Sequence, residues 1–162
     1  MHSGLPETNA TPPLTHSMVV SPADRPCVVE DLVDLPTGPI IKVAAGGYTL
    51  LALTEGSDLY SWGGHPGRPA AVLDLTDTPE PVDVDGEDIK DCAVGEQHAI
   101  VLTTSGIVFV IGHNTNGQLG FPGVSKVHPW KQVSLSLGPQ DRLVGVEAGS
   151  RTSFILVKSL AP

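Results

Sequence analysis

Ile89-Lys90-Asp91-Cys92-Ala93-Val94-Gly95-Glu96-Gln97-His98-Ala99-Ile100-Val101-Leu102-Thr103 consists of two short apolar runs hinged on a glycine. Each run has the length of a strand, is rich in Val, Ile and Leu, and is bounded by residues that turn the chain. The pattern occurs twice more, at Ile40-Ile41-Lys42-Val43-Ala44-Ala45-Gly46-Gly47-Tyr48-Thr49-Leu50-Leu51-Ala52-Leu53-Thr54 and at Leu143-Val144-Gly145-Val146-Glu147-Ala148-Gly149-Ser150-Arg151-Thr152-Ser153-Phe154-Ile155-Leu156-Val157. Gly46, Gly95 and Gly149 align at offsets of 49 and 54. Leu53, Leu102 and Leu156 hold the same register, as do Val43, Cys92 and Val146.

The likeness continues past each second run. Gly56-Ser57-Asp58 leads into Leu59-Tyr60-Ser61-Trp62-Gly63, and Ser105-Gly106 leads into Ile107-Val108-Phe109-Val110-Ile111-Gly112, with Gly63 and Gly112 again 49 apart. A short β-like run precedes each unit: Cys27-Val28-Val29, Val82-Asp83-Val84 and Gln132-Val133-Ser134-Leu135. No stretch sustains a helical period with caps. Four short strands recurring about every 50 residues are the mark of a propeller blade. The expected fold is all-β: antiparallel four-stranded propeller blades in an incomplete ring. The expected units span about residues 26–80, 81–131 and 132–162, behind a flexible leader at 1–25 that holds Pro6, Pro12, Pro13 and Pro22.

Composition narrows the function classes. Gly and Pro make up 33 of 162 residues (18 and 15), which favours turns over long helices. The net charge of −9 disfavours nucleic acid and anionic membrane surfaces as partners. No apolar run approaches the roughly 18 residues of a membrane span. The start of the chain, Met1-His2-Ser3-Gly4-Leu5-Pro6, lacks the form of a secretory signal. Two distant cysteines, Cys27 and Cys92, then suggest reduced thiols in an intracellular protein, cytoplasmic or nuclear. The sequon Asn9-Ala10-Thr11 is read as chance.

Gly112-His113-Asn114-Thr115-Asn116-Gly117-Gln118-Leu119-Gly120 resembles the G-x-N-x-x-G-Q-L-G signature of RCC1 repeats, the seven-bladed propeller family of the regulator of chromosome condensation. The glycine-hinged runs are similar to that family's V-x-A-G-x-x-H-x-x-A-L-x-x-x-G-x-V-Y-x-W-G pattern, with Gly95 to His98 at its G-x-x-H portion. Thr49 and Thr152 stand where that histidine usually sits. Gly64-His65-Pro66-Gly67-Arg68-Pro69 replaces the G-Q-L-G ending of the first unit, and the third ends at Pro162 before its last strands. WD40 blades share the approximate period, but no Gly-His followed by Trp-Asp occurs; Gly46-Gly47 mimics the Kelch double glycine, and the G-Q-L-G run weighs against both. About three units against the family's seven imply a partial or truncated propeller, with open sheet faces that self-association can cover to complete a ring.

The residues singled out are read as structural repeat positions: Gly46, Gly63, Gly95, His98, Gly112, Asn114, Gly117, Gln118, Leu119, Gly120 and Gly149. Asn114 and Gln118 are expected to bond local backbone, and Asn116-Gly117 to form a tight turn. His98 lies in a strand and is expected to pack with a hydrogen bond to backbone, not to serve as a base or ligand. His2, His16, His65, His113 and His128 lack zinc-site spacing. Asp74, Asp77, Glu80, Asp83, Asp85, Glu87, Asp88 and Asp91 fail the EF-hand pattern, since Pro81 and Cys92 fall at ligand positions; they read as a solvated loop able to steer a basic partner. Trp62 and Trp130 read as packing residues. No nucleophile elbow or phosphate-binding glycine loop is present.

These readings predict no catalytic residue, no cofactor and no metal. They point to a non-enzymatic protein-interaction module whose loops grip a protein partner from a rigid β scaffold. The resemblance adds an alternative, the regulatory part of a guanine-nucleotide exchange factor for a small GTPase. Chromatin association and a place in a larger ubiquitin ligase find less support in these residues.

Overall fold

The computed structural model describes residues 26–65, 67 and 75–160. The leader at 1–25, His2, His16 and the sequon lie outside these residues, as do Pro66, Arg68, Pro69, Asp74 and Pro162.

Among the described residues, ten strands form three antiparallel sheets. The first sheet holds β1 (Ile40–Gly46), β2 (Thr49–Thr54), β3 (Leu59–Gly63) and β4 (Glu80–Val82), in that spatial order. The second repeats the order with β5 (Ile89–Val94), β6 (His98–Thr103), β7 (Val108–His113) and β8 (Lys126–Val133). The third is a hairpin of β9 (Asp141–Gly149) and β10 (Thr152–Ser159). Each is a meander in which sequence neighbours pair, as in propeller blades.

The expected unit boundaries need correction. Val82 pairs with Leu59, and Val133 pairs with Val108. The runs that seemed to open the second and third units therefore close the first and second sheets. Pairing partners decide membership, and both partners lie upstream. Cys27-Val28-Val29 forms no strand and leads into a single 3-10 turn at Glu30–Leu32.

The sheets stack face to face, and burial follows from that. Every residue of β6 is buried, because both faces of the second sheet are covered. This is why Ala99-Ile100-Val101-Leu102 reads as an unbroken apolar run, as in any strand covered on both sides. Leu51, Leu53 and Leu59 of the first sheet meet Cys92, Val94, Val101 and Phe109 of the second. The alternate residues Ala93, Ile100, Leu102, Val108 and Val110 point the other way, towards Val146, Leu143 and Ile155 of the third sheet. Cross-strand pairs such as Val101 with Phe109 and Ile100 with Val110 keep each set on one face.

Bare backbone joins the sheets at the aligned glycines. A methyl built on Gly46 would lie 2.3 Å from the Gly95 carbonyl oxygen, and one built on Gly95 would lie 2.6 Å from that of Gly149. Only residues without a Cβ permit this approach. A polar tie runs beside the column. Lys42 Nζ donates to Asp91 Oδ1 at 2.5 Å, and the other oxygen of Asp91 accepts from the Val146 N–H at 2.9 Å, so one carboxylate spans three sheets. Burial tends to lower the Lys42 pKa, but the Asp91 hydrogen bond and charge outweigh it and raise the pKa above its usual value. Burial pushes the neighbouring Cys92 thiol up to about 12, against the pull of Lys42, so it stays an inert thiol. Cys27 is free and exposed.

Candidate functional site

The loop after β7 is built on one side chain. Asn114 is buried, and its amide nitrogen donates to the carbonyls of Phe121 (2.6 Å) and Val124 (2.7 Å). Its amide oxygen accepts from the Leu119 N–H at 2.8 Å. Three of its hydrogen-bonding positions are thus filled by backbone, which fixes the loop's shape. The Gln118 side-chain oxygen accepts from the Asn116 N–H at 2.9 Å. Gly117 takes φ 75° in the tight turn, with its N–H on the Asn114 carbonyl at 3.0 Å. Leu119 drops from this loop into the core between the second and third sheets. Gly63 and Gly112 share φ near 117° and 116° where β3 and β7 end, and Gly120 closes the loop at φ 76°.

With Asn114 and Leu119 holding the loop down, its outer residues form one wall of a polar cleft of about 300 Å³. Thr115, Asn116 and Gln118 supply that wall. Glu96 and Gln97 come from the β5–β6 turn, and Ser150 and Arg151 from the β9–β10 turn. The floor is tied by the Glu96 N–H on the Ser150 carbonyl at 2.9 Å. Ser150 Oγ donates to Glu96 Oε2 at 3.0 Å, with Arg151 Nε 3.7 Å from the same oxygen. The cleft therefore offers one cation, one anion and several amides and hydroxyls, a surface suited to a partner's polar side chains and main chain.

His98 lies at the start of β6, fully buried. Its imidazole packs over Gly95, so that a Cβ there would come within 2.1 Å of the ring. The expected hydrogen bond to backbone is not formed in ordinary geometry: neither ring nitrogen has a partner, and the Thr152 backbone is the polar group beside the ring. Burial lowers the imidazole pKa from 6.5, opposed by that backbone. The unfolded chain then binds this proton more readily than the folded chain. Stability contributed by neutral His98 is present above pH 6.5 and is lost as the pH falls towards the lowered value. Urea midpoints between pH 5 and 7.5 should fall on the acid side, and His98→Thr should flatten the slope, because threonine stands at this position in the other two repeats. Equal slopes in the two proteins would sink this account.

The acidic stretch does not converge. Asp83 caps the Gly86 N–H at 2.8 Å, Glu87 accepts from Ser105 Oγ at 2.8 Å, and Asp91 bridges the sheets. Among the described residues, no three His, Cys, Asp or Glu side chains gather to hold a metal ion. Trp130 packs on the first core and Trp62 is half-buried in β3. The residue reading missed two features. Lys42 and Asp91 stand at one repeat position, 49 apart, and their opposite charges were a signal for inter-sheet pairing. Glu96 and Ser150 likewise follow the aligned glycines Gly95 and Gly149, and Arg151 comes next.

Comparison with known proteins matches this geometry. The family model for the regulator of chromosome condensation (RCC1) repeat matches residues 40–65 and 89–118. The human E3 ubiquitin-protein ligase HERC2 is 37% identical over 148 residues, covering 86% of this chain and 3% of that protein. The regulator of chromosome condensation of Drosophila melanogaster is 33% identical over 94 residues, covering 56% of this chain and 17% of that one. Among solved structures, human WBSCR16 is similar with a TM-score of 0.63 at 24% identity, over 76% of this chain and 33% of that chain. Yeast RCC1 (Prp20) bound to Kap60 is similar with a TM-score of 0.63 at 19% identity, over 78% and 32%. The fold is that of RCC1 propeller blades whose sheets do not close. The chain spans about a third of the solved neighbours and a few per cent of HERC2. No helix among the described residues is long and apolar enough to cross a membrane.

Proposed function

Because this chain belongs to the RCC1-repeat family, we propose that it is a non-enzymatic protein-interaction module, a partial propeller that engages a protein partner through the cleft between its second and third sheets. The observation that carries the reading is the convergence of three loops, from two sheets, on a tied polar floor at Glu96 and Ser150. Loops held on a rigid scaffold are the usual place for recognition. Two solved structures of one yeast neighbour, Prp20, support binding as the mode: one is described in complex with Kap60, the other by the protein's binding to Gsp1p and histones. The module is taken to work inside the cell, where its thiols stay reduced.

A photo-crosslinking residue tests this, placed at Gln97 in the cleft and, separately, at Lys90 on the opposite rim. Partner adducts should concentrate at Gln97. Equal labelling at both positions would remove the cleft from the reading. Release of fluorescent GDP from a small GTPase should be unchanged by the chain; accelerated release would replace this reading with nucleotide exchange.

A further inference from the structure

The outermost sheet faces, away from the cleft, expose apolar side chains. Each matches, position by position, a face that the chain buries internally. Phe154 and Leu156, on the outer side of the third sheet, are 53% and 43% exposed. Their repeat equivalents 54 residues earlier, Ile100 and Leu102, are 1% and 0% exposed because they cover the third sheet. Val43 and Leu50, on the outer side of the first sheet, are 67% and 37% exposed. Their equivalents 49 residues later, Cys92 and Ala99, are fully buried under the first sheet. One open face is thus the kind that covers, and the other is the kind that is covered.

Gly149 gives a separate indication. Gly46 and Gly95 are required where the next sheet's backbone presses on them. Gly149 holds the same position, yet a methyl there would meet only Thr152 Cβ at 3.9 Å and Phe154 Cε2 at 4.0 Å, and its φ is not in the left-handed region. Among the described residues, nothing demands a glycine there. The space beside it is where the established sheet-to-sheet packing would continue.

We propose that the outer face of the third sheet packs on the outer face of the first sheet of a second copy of this chain, head to tail. Phe154 and Leu156 of one copy lie on Val43 and Leu50 of the next, and the glycine column runs on through Gly149. The two faces differ, so the contact is heterologous, and each copy has one face of each kind. The apolar faces and the open edge of β10 supply the drive to associate.

Light scattering on a sizing column tests this with the full chain. Wild type should show masses at multiples of 16.9 kDa that grow with concentration. Val43→Asp blocks one face and Phe154→Asp the other, so each variant alone should run as a monomer. Both side chains are more than half exposed, so the circular dichroism of each variant should match wild type. Mixed, the two variants keep one good face of each kind and should form a pair of twice 16.9 kDa, and nothing larger. The Val43→Lys and Phe154→Lys pair repeats the test with the opposite charge. A wild-type chain that stays monomeric up to its solubility limit overturns the proposal. So does a single variant that still associates, or a mixture that forms no pair.

Discussion

A Gly46→Ala chain is expected to lose about 3 kcal/mol or more of stability, above the ordinary range for an overpacked core. The added methyl would sit 2.3 Å from the Gly95 oxygen, 2.6 Å from the Val94 oxygen and 2.9 Å from the Gly95 carbonyl carbon. All three are backbone atoms, so no rotamer change can relieve the contact. The φ of Gly46 is not in the left-handed region, so alanine's own backbone preference is not the cost. Relief requires the first sheet to shift away from the second, and that shift uncovers Leu51, Leu53 and Leu59 from Cys92, Val101 and Phe109. Small domains hold only about 5–15 kcal/mol in total, so the substitution should lower the urea midpoint steeply or abolish the folded baseline. Gly149→Ala is the control, because its nearest atoms lie 3.9 and 4.0 Å away. In dilute solution it should stay within about 0.5 kcal/mol of wild type. Equal losses in the two variants would mean that the close approach of the Gly95 backbone is not what requires glycine at Gly46, since alanine's effect on the unfolded chain alone would stabilise both.

The aligned glycines show what the sequence made legible. Gly46, Gly95 and Gly149 announce the repeat because the residue type recurs at one position, and at Gly46 and Gly95 the steric demand of the sheet junction recurs with it. The β6 run was legible as a strand for a local reason, its unbroken apolar stretch. The geometry of the Asn114 side chain was equally local, since all its partners lie within 10 residues. What escaped was non-local. Glu80–Val82 is a three-residue strand containing Pro81, and its partner Leu59 lies 23 residues before Val82. Proximity to β5 suggested the wrong sheet. The cleft escaped likewise, because Glu96 and Arg151 meet only when two sheets stack. His98 shows a further limit: its burial was readable from its strand, while the orientation that leaves both nitrogens without partners depends on Gly95 and Thr152.

Leu102→Ala is expected to cost about 2–5 kcal/mol, the range for a large side chain removed from a closed core. Leu156→Ala, at the same repeat position, should cost within about 0.5 kcal/mol in dilute solution, as exposed substitutions do. Both leucines follow the same glycine turn by the same number of residues, and both lie in the second strand of their sheet. Local sequence and strand propensity are therefore nearly matched. The difference lies in what covers them. Leu102 is packed with Ile100, Val108 and Val110 against Val146 of the third sheet, whereas Leu156 has no fourth sheet above it among the described residues. Thermal or urea unfolding of the two variants, at a concentration where the chain is monomeric, measures the worth of one neighbouring blade at one side chain. If Leu156→Ala cost as much as Leu102→Ala under those conditions, burial by the adjacent sheet would not be what stabilises this position. The stack would then have to be held by its hairpins alone. If the costs differ as expected, the stability of each blade belongs to its interfaces, as in other repeat proteins. The Leu156 cost should then rise with protein concentration as the second copy takes the place of the missing sheet.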